Sequence, residues 1–94
     1  MSEVAHTCHA VGCSREIPPI LLLCPAHWKL VPQAIRFRVF AAYKPGQEDR
    51  KDPSLLWCIA ADDAVRYVAK LEGREPTLSF ARAYYPKGAM AVRA

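Results

Sequence analysis

The chain has no asparagine and only four glycines among its 94 residues. Without asparagine it lacks a residue that zinc-held nucleases of the His-Asn-His type use. No glycine-rich Walker loop is present to cradle a phosphate, and no His-Glu-x-x-His zinc-protease motif occurs. The deaminase signature is missing too, since no His-x-Glu precedes a Pro-Cys-x-x-Cys. Asp62 and Asp63 are adjacent carboxylates, and on a helix neighbours diverge by about 100°, which is the wrong geometry for a cooperating acid–base pair. No reaction is legible, and a non-enzymatic protein is expected.

Long apolar runs are also lacking. The runs Ile20–Cys24 and Leu55–Ala61 are both far shorter than the roughly 20 residues a membrane helix needs. Met1-Ser2-Glu3-Val4 has no basic segment followed by an apolar one, so no secretory signal is read. The expectation is a cytoplasmic protein, with its four cysteines reduced, no membrane association and no small-molecule substrate.

What the chain does have is apolar side chains, at 52%, enough for a packed core. Its length suits a single domain over residues 1–94. A domain so small has a thin margin of stability, and a structural metal is one common remedy. Cys8, Cys13, Cys24 and His27 offer the ligands. Four residues separate the first two, ten separate Cys13 from Cys24, and two separate Cys24 from His27. Zinc takes four tetrahedral N or S donors, commonly from two short-spaced pairs. A closed Cys3His zinc site is the reading. Buried metal-free thiols and disulfides are the alternatives. His6 and His9 lie near enough in sequence to replace a ligand, although an outer position suits them better. Gly12 is free to adopt a positive φ beside the metal. Cys58 reads as a small buried hydrophobe.

Around this cluster, Pro18-Pro19 marks a turn, and Ile20–Leu23 predicts a short buried strand delivering Cys24. Pro32 opens a helix over Gln33–Tyr43 that is apolar nearly all round and so reads as well buried or packed on two surfaces. Trp28 would bridge the metal segment to that helix. Lys44–Asp52 is the clearest loop. Asp52 or Ser54 caps a second helix, ended by Gly73, with a polar stripe of Asp62, Arg66 and Lys70 and a buried face of Trp57, Ala60, Ala61, Ala64, Val68 and Leu71. The alternation in Thr77–Tyr85 predicts a strand, although the same letters make two turns of helix. Residues 89–94 read as a loose end. The fold class expected is therefore a small, mostly α, α+β zinc-stabilised domain. It has a metal-bound knuckle or hairpin over residues 1–30, two helices over 31–73 and a C-terminal strand or extension over 74–94.

The string Cys8…Cys13…Cys24-Pro25-Ala26-His27-Trp28, then Val31-Pro32, Tyr43, Pro45-Gly46-Gln47 and Pro53-Ser54 with Trp57, resembles small zinc-knuckle accessory proteins of tailed bacteriophages and prophages. The resemblance covers roughly residues 8 to 72. It implies a zinc ion and a phage setting, but no reaction. Phage accessory proteins of this size often bind host machinery, including the nucleic-acid-handling complexes of CRISPR defence. A host protein or nucleoprotein complex is accordingly the expected partner, met by Arg36, Arg38, Arg82, Tyr84 and Tyr85, the residue types enriched at interface hot spots. Direct DNA or RNA binding is the alternative, from 13 basic against 9 acidic residues and a net charge of +4, though acids interrupt the basic positions.

Overall fold

The computed structural model describes residues 6–76 and 79–86. Five helices follow one another: α1 (Pro25–Trp28), α2 (Gln33–Ala42), α3 (Gln47–Arg50), α4 (Leu55–Leu71) and α5 (Phe80–Tyr84). The chain is mostly helical, as the sequence led us to expect. No named strand occurs among the described residues, and the only β pairing there is an isolated antiparallel bridge between Thr7 and Glu16.

α4 is the spine. Ser54 caps it from extended backbone, its Oγ accepting the Trp57 amide at 3.1 Å. Asp52, the other candidate cap, pairs instead with Arg50 and Lys44. Cys58, Ala61, Ala64, Val65 and Val68 are buried and recur at three- and four-residue steps, so they form one stripe. Ala61 and Ala64 lie within the stripe and the buried Ala60 and Ala69 flank it, which lets other segments approach the helix closely. Gly73 ends the helix at φ +69°. The Gly73 amide reaches the Lys70 carbonyl and the Arg74 amide the Ala69 carbonyl, the paired bonds of a left-handed helix cap.

α2 and α5 both pack on α4. α2 departs from expectation. Only Val39 of this helix is buried, and Phe37 and Phe40 are 70% and 67% exposed. A domain of this size has no second layer to cover the outer face of the helix.

The polar stripe read on α4 is only partly outward. Asp62 is buried and does not pair with Arg66, which instead meets Asp63 at 2.7 Å. The Asp62 carboxylate accepts the Ser79 hydroxyl at 3.0 Å and the Phe80 and Ala81 amides at 2.6 and 3.1 Å. Those donors sit at the start of α5, and the Ser79 Oγ also accepts the Arg82 amide. A carboxylate aimed at free amides favours helix. That is why Phe80–Tyr84 is helical and not the strand expected from alternation. Thr77, Leu78 and the expected loose end at 89–94 lie outside the described residues.

Two other expectations are corrected. Ile20–Leu23 is not a strand: the Leu21 amide turns back to the Pro18 carbonyl and a single main-chain bond, from the His9 amide to the Leu22 carbonyl, reaches across, while Leu22 and Leu23 are buried. The N-terminal segment is consequently a looped knuckle, not a two-stranded hairpin. Within the Lys44–Asp52 loop lies the single turn α3. Gly46 enters it at φ +83°, and the buried Gln47 side chain accepts the Lys44 amide at 2.9 Å.

Candidate metal centre

The knuckle folds back on itself to gather the sulfur atoms. The Cys8 amide donates to the Arg15 carbonyl at 2.9 Å and the Ile17 amide to the His6 carbonyl at 3.0 Å, flanking the Thr7–Glu16 bridge. Between these bonds the Cys13 amide closes a turn onto the Ala10 carbonyl, with Gly12 at φ +82° as read from the sequence. α1 begins directly after Cys24, and its first turn places His27 over the Cys24 sulfur.

The outcome is a cluster. One donor atom from each of Cys8, Cys13, Cys24 and His27 lies within 4.8 Å of all the others. Cys8 and Cys24 are buried and the other two half-buried. No disulfide joins them. The His27 Nδ1 faces the sulfurs, 3.2 Å from Cys24 Sγ and 3.6 Å from Cys8 Sγ. Two main-chain amides point at the Cys8 sulfur, from Cys24 at 3.2 Å and Ala10 at 3.5 Å, an arrangement that stabilises a thiolate.

Electrostatics divides the thiols. Burial pushes the Cys8 thiol up to about 11, against the pull of those amides and with the neighbouring Cys24 and Cys13 thiols adding to the rise. Burial opposes ionisation of Cys24 as well, but the His27 amide, the facing His27 ring and the Cys8 thiol outweigh it and draw Cys24 down to about 7. Three thiols and an imidazole nitrogen form a soft four-donor set of the kind that transition metals take.

His6 and His9 point elsewhere. Their ring nitrogens meet the Leu21 carbonyl at 2.8 Å and the Leu22 carbonyl at 3.2 Å, and the His9 ring stands edge-on to Phe80 with centroids 5.0 Å apart. Cys58 is fully buried, and burial together with the nearby Asp62 charge raises its thiol to about 11, in keeping with a packing role.

Sequence reasoning missed Glu72. It lies 45 positions beyond His27, yet its Oε2 sits 3.0 Å from His27 Nε2. Neither spacing nor motif signals this, because it depends on how far α4 runs before Gly73 turns the chain. Arg74 follows the turn, its Nε 3.7 Å from the other Glu72 oxygen and its guanidinium laid against Gly12.

The five residues read as partner anchors are not one cluster of free side chains. Arg38 is held by Asp63 at 2.9 Å. Arg36 is half-buried, with an Nε that finds no partner among the described residues. Arg82 and Tyr84 are exposed. The Tyr85 hydroxyl donates to the Pro53 carbonyl at 2.7 Å, and its ring packs on the core, so Tyr85 is committed to the fold. A larger apolar feature lies beside the metal cluster. A groove of about 410 Å³ runs between Leu21–Leu23, Pro25, Trp28, Phe40 and Trp57. Trp28 stands edge-on to Phe40 there, with centroids 5.7 Å apart, and so bridges knuckle and α2 as expected.

Comparison with known protein families, with curated proteins and with solved structures finds no match. Among the described residues, no helix is long and apolar enough to cross a membrane.

Proposed function

We propose that this chain is a non-enzymatic, zinc-stapled binding protein of the phage accessory type. It docks on a host protein or nucleoprotein complex in the bacterial cytoplasm and inhibits or redirects it. An inhibitor of CRISPR defence is its most concrete form. The observation that carries the reading is the Cys8, Cys13, Cys24 and His27 quartet, two of its members buried and two half-buried. Zinc is the metal that best suits three thiolates and one imidazole in a tetrahedron. Four protein ligands leave no open position for water, so the ion holds the fold and does no chemistry. A stiff small scaffold beside an apolar groove then offers a docking face. Exposed Phe37 and Phe40, at 70% and 67%, are large aromatics of the type that anchor interfaces.

Protein contact is favoured over direct nucleic-acid binding by the charges. Arg38, Lys44, Arg50, Arg66 and Arg74 all pair with Asp or Glu, which lowers the positive potential a phosphate backbone would meet.

The experiment has two arms. Elemental analysis of the full chain should give one zinc per molecule, and a chelator should unfold it. A well-folded, metal-free Cys24→Ser variant would overturn the zinc reading. In the second arm, a complex with a purified host target should survive nuclease and be lost in Phe40→Asp with helix content unchanged. Salt-steep retention on DNA that disappears on charge reversal of Arg36 and Arg38 would establish the nucleic-acid alternative instead.

A further inference from the structure

The Cys/His quartet is tied to the end of α4 through the Glu72 side chain. His27 presents its two ring nitrogens to different neighbours. Nδ1 faces Cys24 and Cys8 at 3.2 and 3.6 Å, while Nε2 faces the Glu72 carboxylate at 3.0 Å. A carboxylate accepts and cannot donate. The proton on a neutral His27 therefore belongs on Nε2, which leaves the Nδ1 lone pair directed at the sulfurs. We infer that Glu72 is the positioning residue of the metal centre, fixing the tautomer and ring orientation of His27 so that Nδ1 is the metal donor.

Three further observations converge on this role. Glu72 is delivered by the cap of α4: its amide reaches the Val68 and Ala69 carbonyls, and the left-handed Gly73 follows, so its backbone is fixed by the helix end. Arg74 lies 3.7 Å from the other carboxylate oxygen and orients the carboxylate from its far side. The same Arg74 guanidinium covers Gly12, in the turn that carries Cys13. Glu72 and Arg74 thus clasp both ligand-bearing loops from one helix terminus. Carboxylate–imidazole–metal relays of this geometry raise ligand basicity, and losing the outer partner typically lowers metal affinity by about ten- to a hundredfold.

The inference rests on the metal-centre reading, and the test separates the two. The full-length chain, 15N-labelled at histidine, is loaded with zinc, and the His27 tautomer is read by NMR. Zinc affinity is then measured by chelator competition for the unsubstituted chain, Glu72→Gln and Glu72→Ala. The expected result is an Nε2–H tautomer with Nδ1 on the metal, and zinc released about tenfold or more readily by both variants. Zinc bound through Nε2, or equal affinity in all three chains, would overturn the role of Glu72 while leaving the metal centre standing. An unsubstituted chain that takes no zinc would overturn both. The tautomer is read in the unsubstituted protein, so a variant that failed to fold would not remove the test.

Discussion

The Phe80 amide donates a 2.6 Å hydrogen bond to the Asp62 carboxylate across 18 positions of chain. With the Ser79 hydroxyl and the Ala81 amide on the other oxygen, a single buried acid anchors α5 to the middle of α4. Hydrogen bonds to a charged group contribute more than neutral ones, and breaking one leaves the buried Phe80 amide unsatisfied. Asp62→Ala should therefore lower unfolding free energy by about 3 kcal/mol, with Asp62→Asn losing less. Urea unfolding measures it. An Asp62→Ala chain as stable as the parent would show that α5 is held by Phe80 and Tyr85 packing alone.

Cys58 gives the fold an alkaline limit. Burial, with the Asp62 charge added, raises its thiol from 9.0 to about 11 in the folded chain. Between those values the unfolded chain has lost the proton and the folded chain has kept it. The contribution is complete below pH 9 and lost as pH rises through 11. Cys58→Ala should flatten this part of the stability–pH curve relative to the parent. Denaturant melts between pH 8 and 11 read the difference in slope. Equal slopes would mean that Cys58 titrates alike in both states.

Two left-handed glycines should respond differently to alanine. Gly12 and Gly73 sit at φ +82° and +69°, where a Cβ costs roughly 1–2 kcal/mol. A Cβ on Gly73 meets no atom within 4 Å, whereas one on Gly12 falls 2.7 Å from Arg74 Nη1. Both variants should be less stable by about 1 kcal/mol. Gly12→Ala alone should also displace Arg74 from the knuckle, and the Arg74 side-chain NMR resonances should shift only in that chain. Unmoved resonances in both would place Arg74 elsewhere in solution.

Much of the candidate metal site was legible because ligand chemistry fixes residue types and spacings, and Cys8, Cys13, Cys24 and His27 come together as read. Helix α4 was legible for similar local reasons, since Ser54, the apolar stripe and Gly73 act within a turn or two of themselves. What sequence could not give was tertiary. Asp62 looks like a solvent-facing acid until Ser79 and Phe80 arrive above it. Glu72 looks like a helix-end surface residue until α4 is placed against His27. α5 illustrates the same point, because the apolar alternation of Phe80–Tyr84 fits either element and a distant carboxylate decides between them. The exposed face of α2 was misread for the opposite reason: its apolar content predicted burial, and the molecule has too little mass to supply it.

α4 is gripped at three stations by three separate segments. Ser54 at its start donates to the Ala42 carbonyl, Asp62 at its centre holds α5, and Glu72 at its end meets the knuckle. None of these three segments can leave without releasing a hydrogen bond to this one rod. Local opening of each segment therefore has its own cost, and a protease would find its entry points in the connecting loops and not along the rod.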